Sequence, residues 1–229
     1  MNDKELVVND FCITFSTVNG SGSATANTTL MRTFFRMGIP VSGKNIFPSN
    51  IQGLPTWYTL RLSKDGYLAR VEEDDIIVAM NPATLAKEVG YLNKGGVFLL
   101  PDDFTLPEMP ADAVVYRMPV KKLIKEAEIS PTLRDYLSNM VYVGVLSFIL
   151  GIDLEVIRES LVYQFKGREK PIQQNFNMVK AAHNWAQANL EKKDPFVVRP
   201  MQANQDCIMT DGNTAAALGS IFGGVQFAA

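Results

Sequence analysis

Five residues near the amino terminus carry the strongest chemical signal in the chain. Asn19, Gly20, Ser21, Gly22 and Ser23 stand between a run rich in apolar and β-branched residues, Phe11-Cys12-Ile13-Thr14-Phe15, and the start of a helical pattern. The order strand, glycine loop, helix suits an anion. Glycines admit positive φ and let a ligand approach the backbone, and the first amides of a helix point unpaired N–H groups into the loop. Gly20, Ser21, Gly22 and Ser23 are therefore candidate ligand contacts, the two hydroxyls adding to the amides. A tight βα turn that binds nothing remains the other reading, because a lone Gly-x-Gly is a short motif. A dinucleotide fingerprint fits poorly: its third small residue would fall at Thr25, and no acid follows about 20 residues later to hold a ribose hydroxyl. Residues 11–64 contain no Asp or Glu, whereas Arg32, Arg36, Lys44, Arg61 and Lys64 lie among them, which favours a phosphate or carboxylate near this edge.

The remaining chemical residues point to binding and not to catalysis. Asn81 follows the apolar run 76–80 and precedes Pro82, so it stands at a strand's carboxyl end and a helix's amino end, where open α/β sheets bind ligands. A helix cap and nothing more is the commoner role of such a residue. His183 lies inside a helical pattern with no Ser, Cys or acid cluster nearby in sequence and is read as a partly exposed helix residue, not a base. Glu72-Glu73-Asp74-Asp75 reads as a solvated loop end and not a metal site. Cys12 and Cys207 each sit in an apolar, strand-like run, as buried thiols of a reducing compartment would. Two cysteines and one histidine cannot make a four-thiolate iron–sulfur site or a structural zinc site, so any such centre belongs to a partner chain. No catalytic residue and no metal ligand is assigned.

These residues need elements to hold them. Ala26, Leu30 and Phe34, with Met31 and Phe35, form an apolar helical stripe, and Gly38 and Pro40 supply its stop. Residues 39–42 follow as a short strand. The stretch 43–55, with two glycines and two prolines, reads as an irregular loop of the length that usually carries function. Residues 57–62 form the next strand and 64–66 its turn; residues 67–71 either pair back or connect onward. The runs 76–80 and 97–100 are continuously apolar, as strands buried on both faces are, with a helix from Asn81-Pro82 to Gly90 between them and a further strand at 113–118. Strands alternating with short helices predict an α/β fold with a mostly parallel, doubly wound sheet. The second half is helical: a short charged helix at 121–128, a longer one from Ser130-Pro131 to Gly151, one capped by Asp153 with Leu154, Ile157, Leu161 and Phe165 as its stripe, and one starting at Pro171. Residues 191–206 are polar and broken by Pro195 and Pro200, and 194–206 reads as a linker. A strand at 207–210, a turn at 211–213 and a helix at 214–219 cannot bury a core, so they read as the first βα unit of a second domain.

Composition bounds the function classes. With 229 residues and 47% hydrophobic content the chain can bury a sizeable core, and a net charge of −2 without a long Lys/Arg block gives nucleic acid nothing to follow. The longest apolar run, 140–152, falls short of the ~20 residues that span a bilayer. Residues 1–5 lack the basic and apolar regions of a secretory signal, and a cytoplasmic protein without a membrane partner is expected.

Taken together, residues 19–23, the loop Phe47-Pro48-Ser49-Asn50-Ile51-Gln52-Gly53-Leu54-Pro55-Thr56-Trp57, and Val78-Ala79-Met80-Asn81-Pro82 with Gly95-Gly96-Val97 resemble the gamma domain of 2-oxoacid:ferredoxin oxidoreductases. The nearest form places that domain ahead of the alpha domain in one chain, as in 2-oxoglutarate:ferredoxin oxidoreductase alpha subunits. The resemblance implies a Rossmann-like gamma domain over 1–193, the linker 194–206, and a truncated start of the alpha domain, of the pyrimidine-type thiamine-binding kind, over 207–229. Here the glycine loop departs to Gly20-Ser21-Gly22-Ser23-Ala24, and the rest of the alpha domain lies beyond Ala229. By resemblance the complex converts a 2-oxoacid, 2-oxoglutarate for this form, and coenzyme A to acyl-CoA, carbon dioxide and reduced ferredoxin, using thiamine diphosphate, Mg2+ and [4Fe-4S] clusters. The beta subunit, the rest of the alpha domain and ferredoxin are the implied partners in a hetero-oligomer. This chain would bind none of the cofactors alone, would be inactive alone, and would assemble and cover the site, with Ser49, Asn50, Gln52 and Gly53 as a ligand or interface loop. A stand-alone nucleotide- or CoA-binding domain and a purely structural interaction domain stay open.

Overall fold

The computed structural model describes residues 5–48 and 51–227; Ser49 and Asn50, two residues of the expected ligand loop, lie outside the described residues. A two-residue strand, β1 (Val7–Val8), leads into β2 (Asp10–Val18), on which the main sheet is built. Side chains of a strand alternate between faces. Phe11, Ile13 and Phe15 accordingly point into the principal core, while Thr14 and Ser16 face the other side of the sheet. β3 (Val41–Ile46), β4 (Pro55–Ser63), β5 (Asp74–Ala79), β6 (Leu92–Pro101) and β7 (Val114–Met118) complete six strands in the order β3-β4-β2-β5-β6-β7. From β2 to β7 neighbours run parallel, and β3 and β4 add an antiparallel edge. The sheet is thus mostly parallel.

Helices cover the two faces unequally. The first helix, α1 (Ser23–Arg36), lays Ala26, Leu30 and Phe34 on the Phe11 face, where all three are fully buried. The opposite face carries α2 (Leu85–Val89), packed on Ile77, Ala79, Phe98 and Leu100. After α3 (Val120–Glu126) come α4 (Arg134–Leu150), α5 (Leu154–Gln164) and α6 (Glu169–Asn189). From Met140 to Leu146 every residue of α4 is buried, as in a helix enclosed on all sides. Its partner α6 can approach because residue 144 is glycine: a Cβ there would lie 2.3 Å from the Val179 carbonyl oxygen. Asp153 caps α5 as its position predicts, its carboxylate accepting from the Glu155 amide at 2.9 Å.

Several expectations are corrected. The irregular loop is shorter than residues 43–55, since β3 runs on to Ile46 and β4 begins at Pro55; proline is tolerated as the first residue of a strand, and Gly43 leaves room for the Tyr58 hydroxyl, 2.2 Å from where a Cβ would stand. Residues 67–71 connect onward and do not pair back. The helix after β5 starts at Leu85, and Asn81 instead closes a turn, accepting from the Ala83 amide at 3.1 Å. The acidic stretch is not all solvated: Asp74 is 7% exposed, and the Thr14 hydroxyl donates to it at 2.6 Å, because β5 begins at Asp74 beside Leu92. Residues 194–206 are no slack tether. Phe196 and Val198 are buried, β8 (Phe196–Val197) pairs with β1, and the Met201 amide and Asn204 side chain bond to the carbonyls of Met37, Phe35 and Ile39. The last carbonyls of a helix lack intrahelical partners, and this strap supplies them. Residues 207–210 form no strand, and Cys207 is exposed, while Cys12 is buried as expected. The last described helix, α7 (Gly212–Phe222), is capped by Asp211, which accepts from the Thr214 amide at 2.9 Å, and none of its residues is buried.

Two measurements follow from this packing. Gly144→Ala inserts a methyl group into the α4–α6 contact and is expected to destabilise the protein by about 1–3 kcal/mol, read as a lower urea midpoint at unchanged slope. A midpoint equal to the parent's would mean the helices are not in that contact. Burial pushes the Asp74 carboxyl from 3.8 up to about 6, against the Thr14 hydrogen bond and the Arg70 charge. The folded state then holds this proton more tightly than the unfolded chain. The corresponding stability is present below about pH 3.8 and is lost as pH rises through about 6. Asp74→Asn should therefore be the more stable protein at pH 7.5, with the difference shrinking toward pH 4; equal pH profiles for the two proteins would refute the assignment.

Candidate functional site

The glycine loop forms at the carboxyl end of β2, between Val18 and Ser23, the first residue of α1. Gly20 and Gly22 turn the chain with φ of +86° and +81°. A side chain at either would be strained and obstructed: a Cβ on Gly20 would stand 2.9 Å from Gln52 Cγ, and one on Gly22 would stand 2.2 Å from the Tyr136 ring. The loop is zipped to the segment before β4. The Asn19 amide donates to the Leu54 carbonyl at 2.8 Å, the Gly53 amide returns a bond to Asn19 at 3.0 Å, and the Asn19 side chain donates to the Ile51 carbonyl at 3.1 Å. From across the domain, Asn139 Nδ2 donates to the Ser21 carbonyl at 2.8 Å. Inside the turn the Thr17 hydroxyl donates to Ser23 Oγ at 2.9 Å.

The result is a cleft of about 340 Å³, floored by Thr17 and Met80 at two strand ends and walled by Gly20, Ser21, Gln52, Gly53 and the first turns of α4. Four of the expected contacts, Gly20, Ser21, Gln52 and Gly53, thus meet in one place. Gly22 and Ser23 do not line the cleft; Gly22 lies beneath Tyr136, and Ser23 is turned toward Thr17. Asn81 stands apart, in its own turn. Asp135, Ser138 and Asn139 line the cleft unannounced by the sequence, since they lie over 110 residues from the loop and only the docking of α4 brings them there. Asp135 alters the electrostatics, because the loop's acid-free neighbourhood in sequence acquires a carboxylate in space. Among the described residues no Lys or Arg lines the cleft, so a ligand's charge would meet amide dipoles, hydroxyls and the Asp135 carboxylate. Ser21 Oγ is buried and has no hydrogen-bond partner among the described residues.

One Ser–His contact does form elsewhere: His183 Nδ1 lies 2.7 Å from Ser147 Oγ. Ser147 is fully buried and gives its one proton to the Gly144 carbonyl at 2.6 Å, so the imidazole Nδ1 must donate to it. A serine so engaged is no nucleophile, and burial lowers the His183 pKa, as suits a neutral ring between helices. The cysteines do not fit an iron–sulfur cluster: a cluster needs four thiolates, the chain has two cysteines, and the Cys12 thiol is pushed up to about 12 by burial. Among the described residues no group of three or more His, Cys, Asp or Glu could hold a metal ion, and no helix is long and apolar enough to cross a membrane.

The fold is a mostly parallel α/β domain with a cleft at the glycine loop. Residues 12–185 match the model of the pyruvate ferredoxin/flavodoxin oxidoreductase family, and the chain belongs to that family. A 2-oxoacid:ferredoxin oxidoreductase alpha subunit of Aeropyrum pernix is 24% identical over 245 residues, 90% of this chain and 38% of that protein. The ketoisovalerate oxidoreductase subunit VorA of Methanothermobacter thermautotrophicus is 30% identical over 124 residues, 53% of this chain and 24% of the relative. Among solved structures, 2-oxoglutarate:ferredoxin oxidoreductase from Magnetococcus marinus, with 2-oxoglutarate, coenzyme A and succinyl-CoA bound, superposes with a TM-score of 0.85 at 27% identity. That match covers 96% of this chain and 38% of the other. The gamma subunit of a keto/oxoacid ferredoxin oxidoreductase from Geobacter sulfurreducens shares the fold, with a TM-score of 0.61 at 18% identity over 78% of this chain and 99% of its own. The chain spans under two fifths of the length of the alpha subunit it matches.

The anchor of the loop is testable by itself. Asn139→Ala removes the donor to the Ser21 carbonyl and should cost about 1 kcal/mol while speeding hydrogen exchange at Ser23 and Ala24. Unchanged exchange at those amides would show that α4 does not hold the loop.

Proposed function

We propose that this chain is a gamma domain joined to the first part of an alpha domain, working within a 2-oxoacid:ferredoxin oxidoreductase that converts 2-oxoglutarate and coenzyme A to succinyl-CoA, carbon dioxide and reduced ferredoxin. The observation that carries this reading is the likeness, over 96% of the chain, to an enzyme solved with 2-oxoglutarate, coenzyme A and succinyl-CoA bound. In that assembly residues 1–193 form the assembling and covering domain, residues 194–206 the strap, and residues 207–229 the first βα unit of the alpha domain. The exposed apolar residues of α7, Ile221 and Phe222 among them, would be covered by the remainder of that domain.

Thiamine diphosphate with Mg2+ and the [4Fe-4S] clusters would supply carbanion and electron-transfer chemistry from the beta subunit and the rest of the alpha domain, with ferredoxin as acceptor. This chain's own residues bind, orient and exclude water. The amides of the glycine loop, with the Ser21 hydroxyl and the facing Gln52 side chain, would hold a polar part of coenzyme A, and Asn139 would keep the loop in place. Asp135 favours a second reading, in which the cleft is a structural joint: a carboxylate beside a site without Lys or Arg weakens a phosphate contact. A neutral, hydrogen-bonding segment of coenzyme A avoids that repulsion.

Steady-state kinetics of the assembled complex separate the readings. Gly22→Val is a poor probe, because its side chain would strike Tyr136. Ser21→Ala leaves the backbone alone and should raise the Michaelis constant for coenzyme A by roughly 3- to 10-fold with the constant for 2-oxoglutarate unmoved, the loss of about one hydrogen bond. Both constants unmoved would leave the cleft a joint. Viologen reduction faster with pyruvate or 2-oxoisovalerate than with 2-oxoglutarate would overturn the substrate.

A further inference from the structure

A separate pocket, with no lining residue in common with the glycine-loop cleft, opens on the thinly covered face of the sheet. Its volume is about 150 Å³; Trp57, Tyr91, Ile46 and Ile77 give it aromatic and aliphatic walls, and Thr14, Thr59, Asp74 and Glu88 give it polar ones. Glu88 is 2% exposed, on the buried face of α2. One of its oxygens, Oε1, accepts from the Thr84 hydroxyl and from Trp57 Nε1 at 3.3 Å; the Ser16 hydroxyl stands near the carboxylate, yet Oε2 is buried with no hydrogen bond of good geometry among the described residues. A buried carboxylate oxygen left unpaired is costly, and a fold that keeps one invites a donor from outside.

Charge counting identifies the donor. Glu72, Asp74 and Glu88 line the pocket against Arg70 and Lys87, so three acids face two bases and one negative charge is uncompensated. Burial raises the pKa of both Asp74 and Glu88, against the opposing charges of Arg70 and Lys87. A guanidinium is best held by both oxygens of one carboxylate. Glu88 offers a single free oxygen, which suits the point charge and rotatable donors of an ammonium. The wall already accepts such a group: Lys87 Nζ lies 4.8 Å from the centre of the Trp57 ring, the distance of a cation–π contact.

We propose that the pocket between β4, β5 and α2 binds a primary alkylammonium group, either a small amine or the lysine side chain of a partner, with its N–H donors on Glu88 Oε2 and its alkyl stem against Trp57 and Tyr91. The pocket lies apart from the glycine-loop cleft, with no lining residue in common, so the site stands whether or not that cleft takes coenzyme A.

Titration of the 229-residue chain tests this, followed through the indole N–H resonance of Trp57, which reports on the hydrogen bond to Glu88. Propylammonium and N-acetyl-lysine amide are the two probes, and the tighter one tells a free amine from a side chain. At least one should give a saturable shift, about tenfold weaker in Glu88→Gln, whose charge is gone and whose amide would present N–H to N–H. Tetramethylammonium, a cation of the same charge without N–H donors, should bind the unaltered protein about tenfold more weakly than the better probe; this comparison stands even if Glu88→Gln does not fold. No saturable shift with either amine, or equal binding of tetramethylammonium, overturns the proposal.

Discussion

The structure depends on the two-sided alternation of one strand. Phe11, Ile13 and Phe15 of β2 commit one face of the sheet to α1, α4 and α6, and the same period puts Thr14 and Ser16 on the other face. Every functional feature inherits that division. The heavily packed face fixes α4 so firmly that its first turn becomes a wall of the glycine-loop cleft, 118 residues away in sequence from the serine it anchors. The thinly packed face is covered by α2 and by Phe104, Leu106 and Met109 of the segment after β6, and there polar side chains of β2 and β5 find each other while Glu88 Oε2 has no partner among the described residues. Burial of roughly a dozen large side chains on the first face, at about 1.5–3 kcal/mol each, outweighs the few polar burials on the second.

Much of this was legible from residues 11–36. Apolar periodicity, a double glycine and a helical stripe place a strand, a turn and a helix, and the observed β2 and α1 differ from them only at their ends. Buried strands at 76–80 and 97–100 were likewise visible as continuous apolar runs, since strands covered on both faces need no alternation. The parts that could not be read are those decided by distant partners. Polarity and two prolines, Pro195 and Pro200, marked residues 194–206 as a linker, yet the orphan carbonyls at the end of α1 draw that segment down through Met201 and Asn204. Asp74 looked solvated by its neighbours in sequence, and a hydroxyl from β2 buries it. The cysteine at 207 looked buried from its apolar neighbours, but no strand forms there to bury it.

The candidate cleft was half legible. Glycines declare themselves because only they tolerate the +86° and +81° of this turn, so Gly20 and Gly22 could be found from one sequence. Asp135 and Asn139 could not, for nothing in their own helix distinguishes them from surface residues. The acid-free stretch around the loop argued for an anion, and the fold answers by placing Asp135 at the cleft's edge. A binding surface made of amides, one free hydroxyl and one carboxylate recognises shape and hydrogen bonding more than charge. That suits the covering role proposed for this domain.

The most direct test of the account is cryo-electron microscopy of the assembled complex with coenzyme A and without it. The account predicts that coenzyme A lies against Gly20, Ser21 and Gln52, with the cleft emptied of it in the ligand-free complex. A map in which coenzyme A is bound while this cleft is filled by another protein segment would contradict it.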